Sequence, residues 1–285
     1  MENSGFEFSA TYRNRDHALK YDISANVSTL KNKVTSLGIG KDSYIAGAYA
    51  TYVGQEIGKF YGWVYKGIAR TQEDLDNNAV QQGANVGDCL YEDISGPDGT
   101  PDGVIDAYDQ TVLGSGLPKV NFGLSTHMEY KGFDLNISTY GVLNYHVSDD
   151  IYNSLNSCYG YGNKEVGMLD ANRWSEDGTY LSSVPRTYAA NNATLAWNDL
   201  FSSRKIQNAA YWKIANVELG YNFPDKWFGG YVNGVRLYVS AQNLYTFTGY
   251  HGYNVDYAGG TFTPGYNFCS FPSARTFMCG LHFTF

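Results

Sequence analysis

The sequence predicts an all-β protein whose long strands stand side by side as part of a transmembrane antiparallel β-barrel. Three observations predict it. Several segments alternate apolar and polar residues with period two, so each is apolar on one face and polar on the other. Short and long connections alternate between these segments, as the periplasmic turns and outer loops of a barrel do. The composition, with 26 Tyr, 15 Phe and 32 Gly in 285 residues and only 17% charged residues, suits strands and tight reversals.

About seven long strands follow from the alternation, near 5–14, 19–31, 120–131, 132–143, 207–222, 233–243 and 276–285. The first two are joined by the short turn NRDH (14–17); in the second, Tyr21, Ile23, Ala25 and Val27 oppose Asp22, Ser24, Asn26 and Ser28. The stretch 32–119 shows no clear period and is expected to be an outer loop region that adds no net crossing. Strands 120–131 and 132–143 close on YKGFD (130–134), with Phe133, Leu135, Ile137 and Thr139 opposing Asp134, Asn136 and Ser138. A second outer loop covers 144–206. Strands 207–222 and 233–243 flank the turn PDKWFGGYVNG (224–234) and place Asn216, Glu218, Arg236 and Gln242 opposite apolar positions, as residues facing a polar lumen. An aromatic outer loop spans 244–275. In the final strand Phe277, Cys279, Leu281, Phe283 and Phe285 oppose Thr276, Met278, Gly280, His282 and Thr284. Some of these segments reach the roughly 9–11 residues that a tilted strand needs to cross a bilayer.

Several function classes drop out. No window holds the roughly 18 apolar residues of a membrane-spanning helix. A net charge of −8 argues against nucleic acid, whose phosphates demand a basic face. Cys89, Cys158, Cys269 and Cys279 form no CxxC pair, and five scattered histidines offer no zinc site. No acid–base or nucleophile constellation can be named, and neither GxSxG nor GxxxxGK[ST] occurs, so an enzyme is not expected. The N-terminus MENSGFEFSATY has no signal-peptide character. The rival reading is a secreted, calcium-stabilised β-sandwich that binds carbohydrate through its tyrosines; such a fold usually turns every 8–12 residues.

Two constellations stand out in the loops. DGTPDGVIDAYD follows the spacing of a calcium loop, which wants oxygens at positions 1, 3, 5, 7, 9 and 12 and a glycine at 6. Those positions are Asp98, Thr100, Asp102, the Val104 carbonyl, Asp106 and Asp109, with Gly103 in the turn and the apolar Ile105 eighth. Thr100 is neutral, Asp replaces Glu at the last position, and no strong helices flank the loop; an acidic turn without an ion is the competing reading. The stretch TGYHGYNVDYAGGTFTPGYNF (248–268) gathers Tyr250, Tyr253, Tyr257, Tyr266 and Phe268. It reads either as a surface for sugars or a partner, or as loop self-packing together with an interfacial aromatic belt. Arg173, Trp174 and Trp197 are contact candidates on the same terms.

A series of blocks runs in the order of one known family. They are NSGFEFSATYRNRDHALKYDISANVSTLKNKVTSLG, VGQEIGKFYGWVYKGIARTQEDLDN, GDCLYEDISGPDGTPDGVIDAYDQTVLGSGLPKVNFGLSTHMEYKGFDLNIS, NRWSEDG, SVPRTY, AAYWKIANVELGYNFPDKW, VRLYVSAQNLYTFTGYHGYNVD and FPSARTFMCGLHFTF. Together they resemble the C-terminal part of SusC/RagA-type TonB-dependent transporters, the outer-membrane nutrient importers of Bacteroidetes. The resemblance implies about seven strands of a 22-stranded barrel. It also implies uptake of a glycan or oligopeptide, an integral position in a Gram-negative outer membrane with lipid contact, and a SusD-like lipoprotein lid. It implies that the barrel-assembly machinery reads Phe283 and Phe285. In the family a signal peptide, a TonB-contacting segment and a plug precede this region, so the 285 residues are expected to be roughly the last third of such a receptor and unable to transport alone. Family members often carry a shorter acidic loop, in which Asp93 and Ser95 would be the first two ligands; the insertion PDGTP leaves both sets open.

Overall fold

The computed structural model describes residues 1–38, 40–157, 163, 166, 184–187, 197–228, 232, 234–256 and 259–284. Seven strands form one antiparallel sheet in chain order. They are β1 (Glu7–Asn14), β2 (Lys20–Thr29), β3 (Val120–Tyr130), β4 (Phe133–Leu143), β5 (Tyr211–Phe223), β6 (Gly234–Thr248) and β7 (Thr276–Thr284). The short connections β1–β2, β3–β4 and β5–β6 all fall at one end of the sheet, and the long ones at the other. In the tightest, Lys131 and Gly132 both take positive φ (49° and 88°), the two-residue reversal whose twist matches the strands it joins.

Register decides the two faces, because directly opposed residues point to the same side. One row runs Tyr12, Ile23, Thr126, Ile137, Val217, Ala241, Phe277 across all seven strands. The adjacent row, on the other face, runs Thr11, Ser24, Ser125, Ser138, Asn216, Gln242, Thr276. The apolar face stays open: Val239 is 52% exposed and Phe277 68%. Among the described residues no second sheet covers it, which removes the sandwich with a dry interior. Aromatic rings band this face at both ends. Phe133 lies tilted against Tyr221 (4.6 Å between centroids) by the short turns, and Trp212 lies 5.2 Å from Phe247 by the long loops. Tyr221 and Trp212 are nine positions apart on β5. At about 3.3 Å per residue and a tilt of about 40°, that is roughly 23 Å, close to the apolar band of about 25 Å in such barrels. No helix of the described residues is long and apolar enough to cross a membrane; the strands carry the apolar face instead.

Two strand limits differ from the sequence expectation by more than two residues, and one loop region holds a sheet that was not expected. Gln207–Asn208 pairs with His146 and Val147, so β5 proper starts at Tyr211. β5 and β6 share a bulge between Ile214 and Asn216, where Asn243 takes a positive φ of 51°. The extra residue breaks the period-two pattern, and β6 continues to Thr248, past the expected end at 243. The stretch 32–119, expected to lack a period, contains a four-stranded sheet of Ser43–Ala46, Tyr49–Tyr52, Lys59–Gly62 and Thr111–Ser115. Its strands have four or five residues each, too few for alternation to register. It leaves and re-enters the main sheet at the long-loop end of the adjacent strands β2 and β3, since Thr29 pairs with Val120.

The outer loops have cores of their own. Cys89, Tyr91 and Ile105 pack with Trp63, Tyr65, Ala79, Trp197 and Leu200. Buried Asp88 ties two loops together, accepting from the Arg186 guanidinium (2.6 and 2.9 Å) and from the Asn198 amide (2.8 Å). A second cluster of Val142, Tyr145, Val147, Ala209, Tyr211, Tyr250 and Val255 roots the aromatic loop on the polar side of β4 and β5.

Candidate functional site: the polar wall and its loops

The polar face is layered. Toward the short turns the rows are charged. Arg236 of β6 donates to Asp134 of β4 (3.0 and 2.5 Å) and to Glu218 of β5 (2.7 Å), and Asn222 donates to Asp134 (2.9 Å). His127 of β3 bridges Asn136 (2.7 Å) and Glu129 (2.9 Å), and Arg15 pairs with Asp22. Above this belt runs the neutral row from Thr11 to Thr276. The next row runs Ser9, Asn26, Gly123, Tyr140, Lys213, Thr246. A cavity of about 490 Å³ opens there, lined by Asn26, Asn121, Ser125, Ser138 and Tyr140. Asn216, Glu218, Arg236 and Gln242 all lie on this polar face, and Phe283 lies on the apolar one opposite Val235. Phe285 is outside the described residues.

Sequence reasoning passed over His127, Glu129, Lys213 and Asp256. Strand alternation flags the first three only as polar-face positions. Nothing in the sequence joins Lys213 to Asp256, 43 residues apart, whose Nζ and Oδ2 atoms lie 2.6 Å from each other.

The aromatic candidates separate. Tyr250 is 6% exposed; its hydroxyl donates to Asp149 and accepts from Asn267 (2.8 Å), so it belongs to the loop's interior and not to a contact surface. Burial and then the Asp149 carboxylate push its phenol above the ordinary tyrosine range. Trp197 packs on Tyr91 and donates to the Gln82 carbonyl (3.1 Å), again an interior role. Tyr253 and Phe268 stay exposed at 64% and 60%, with Tyr266 stacked on Phe268. Arg173, Trp174 and Tyr257 lie outside the described residues.

The acidic loop uses its carboxylates on its own backbone. Asp93 accepts from the amides of Asp102 (3.3 Å) and Gly103 (2.7 Å), Asp102 from Val104 (3.0 Å) and Asp106 from Tyr108 (2.7 Å). Asp109 is fully buried and accepts from Ile94 (2.8 Å), Ser95 (3.2 Å) and Asp106 (2.8 Å). Gly103 takes a φ of 83°, where a side chain would strain the turn. Asp93 thus faces the fifth and sixth positions of the shorter ligand set, while Asp98 and Thr100 are exposed in the inserted turn. The donor types suit a hard cation, but among the described residues no three of His, Cys, Asp and Glu are grouped to hold one.

An open antiparallel sheet, apolar and aromatic-banded on one face and hydrogen-bonding on the other, with short turns below and folded loops above, is part of the wall of a transmembrane β-barrel. Comparison with known proteins narrows the class. The chain is 30% identical over its whole length to TonB-dependent receptor P3 of Formosa agariphila, covering 29% of that receptor. It is 25% identical over its whole length to the TonB-dependent receptor SusC of Bacteroides thetaiotaomicron, covering 26% of it. In fold it matches the RagAB peptide transporter with a TM-score of 0.78 at 21% identity. It matches the RagAB peptide importer in its closed-closed state with 0.77 at 20%; each match covers 99% of this chain and 29% of the solved one. No protein-family profile matches the chain. Over its full length the chain is therefore similar in sequence to TonB-dependent receptors including SusC, and over 99% of it similar in fold to the RagAB transporter, and it spans less than a third of each of them. These relatives are receptors and transporters, not enzymes.

Proposed function

We propose that this chain is the C-terminal barrel portion of an outer-membrane importer that takes up a glycan or oligopeptide with energy from TonB. One observation carries the reading: a seven-strand sheet sorted into an apolar and a polar face, in a chain whose whole sequence matches 26% of SusC. β1 and β7 each have one partner strand among the described residues. An open edge in hydrocarbon leaves backbone groups unsatisfied at several kcal/mol each, so further strands must meet both edges. In this reading the polar rows line the lumen and the folded outer loops meet a SusD-like lipoprotein lid. A plug and TonB-contacting segment belong to the rest of the receptor, and the last strand, with Phe283 and Phe285, addresses the barrel-assembly machinery. The test is membrane fractionation combined with uptake of labelled oligomers in cells with and without the receptor gene and with and without TonB. Recovery in the outer membrane and TonB-dependent uptake are expected; recovery in the soluble fraction rejects the reading.

For the acidic loop we propose a structural calcium ion held by the set that starts at Asp93: Asp93, Ser95, Asp102, the Val104 carbonyl, Asp106 and Asp109. Its support is the approach of Asp93 to the Asp102 and Gly103 amides, and five aspartates between 93 and 109 without an ion pair among the described residues. Calorimetric titration of the detergent-solubilised receptor should show calcium uptake that Asp93→Asn removes and Asp98→Asn leaves intact. No uptake at millimolar calcium dismisses the ion.

A further inference from the structure

The upper polar face of β5 and β6 holds a cavity of about 320 Å³ whose lining includes Lys213, Thr246, Thr248, Tyr253, Asp256 and Arg275. Its charges do not balance. Lys213 is 4% exposed and spends its ammonium on Asp256, the one carboxylate among the described lining residues, at 2.6 Å. Asp256 also accepts from the Tyr140 hydroxyl (3.3 Å), which fastens the loop to the wall and preforms the cavity. Arg275 borders the same cavity, is exposed, and has no ion pair among the described residues. Among the described lining residues, a guanidinium is left without a carboxylate. Nor is the cavity closed by a strand: β6 runs on to Thr248, whereas β7 begins at Thr276, opposite Gln242.

We infer that this cavity is a subsite for a carboxylate-bearing unit of the imported oligomer, recognised by Arg275. The inference deepens the import reading and rests on it. A guanidinium presents a planar fork of donors that matches a carboxylate in bidentate fashion, and an Arg not already paired keeps that fork for a ligand. Tyr253, largely exposed in the lining of the same cavity, offers a ring on which the unit that bears the carboxylate can pack. The Lys213–Asp256 pair is internally neutral, so it positions the site without competing for the anion.

The test is calorimetric binding to the full-length receptor in detergent, with two pairs of probes. One pair is a glutamate oligopeptide and its glutamine counterpart; the other is an oligouronide and its methyl ester. The wild-type receptor should bind the acidic member of one pair about 10- to 100-fold more tightly, the span expected of a charge-assisted bidentate contact. Which pair shows the preference tells peptide from sugar acid. Arg275→Gln should weaken binding of the acidic member until the preference is gone, and Arg275→Lys should restore only part of it. Because Arg275 is an exposed loop residue, these variants should fold; an unchanged denaturant-unfolding midpoint reports that they do. Equal binding of acidic and neutral members, or a preference that survives Arg275→Gln, overturns the inference while leaving import standing. Binding of none of the four probes overturns the inference, while the uptake and fractionation assay alone decides the import reading.

Discussion

Val239 tests the assignment of solvents to the two faces. It lies five residues from the short-turn end of β6, between Leu219 and Cys279 on the neighbouring strands, and is 52% exposed. Its neighbour Leu219 is two positions from Tyr221 of the lower aromatic band, so at about 3.3 Å per residue and a tilt of about 40° Val239 stands roughly 5 Å into an apolar band of about 25 Å, between the interface and the middle. Val239→Arg should therefore cost about 1–2 kcal/mol, between the about 0–1 kcal/mol of an interface and the about 2–4 kcal/mol of the midplane of a barrel's lipid face. That is an about 5- to 30-fold fall in the ratio of folded to unfolded protein. Phe247→Arg is on the same face but in the upper aromatic band, where the penalty falls to about 0–1 kcal/mol. Gln242→Arg is on the polar face three residues from Val239 and should change stability by no more than about 0.5 kcal/mol. Denaturant unfolding of the full-length receptor refolded into lipid vesicles, followed by tryptophan fluorescence, measures all three. If Gln242→Arg costs as much as Val239→Arg, or if Val239→Arg is neutral, water and lipid are on the wrong sides.

Three further outcomes follow from the contacts. Arg236→Met removes two hydrogen bonds to Asp134, itself 6% exposed, and one to Glu218. It should cost about 2–3 kcal/mol in the same unfolding assay, less than the about 3–5 kcal/mol of a fully buried pair because the guanidinium keeps some solvent, and Asp134→Asn added to it should recover part of the loss. Tyr250→Phe strips a hydroxyl from Asp149 and Asn267 and should destabilise the aromatic loop by about 1–3 kcal/mol, read as faster limited proteolysis near residues 249–275 with the strands intact. Burial pushes the phenols of Tyr91 and Tyr250 above the ordinary range. A folded-state pKa above the unfolded value means that the stabilising contribution is complete below about pH 10 and is lost as pH climbs from there through the folded value. Ultraviolet titration of tyrosinate should show a late-ionising class that merges with the rest once the outer loops have opened.

Much of the wall was legible in the residue pattern, and the loops were not. Period-two alternation has one physical cause, a strand that meets different solvents on its two sides, and it persists over the 10 or 11 residues of β2, β3 and β4. It failed at two kinds of place. At Asn243 a bulge shifted the phase, and the strand beyond looked like loop. In 32–119 the strands were too short to show a phase at all. The aromatic loop shows a third limit: composition marked Tyr250 and Tyr253 alike, yet one is interior and the other exposed.

What the sequence by itself determined is therefore whatever depends on neighbours along the chain: the two-faced strands, the tight reversal at Lys131 and Gly132, the acidic loop with its turn glycine, and the order of blocks shared with SusC-type receptors. The tertiary structure alone decided which charges meet. Arg236 finds Asp134 across 102 residues, Arg186 finds Asp88 across 98, and Lys213 is spent on Asp256 while Arg275 is not. Those pairings come from register across the sheet and from loops folding back onto it, and a side chain's partner at that sequence distance leaves no local trace.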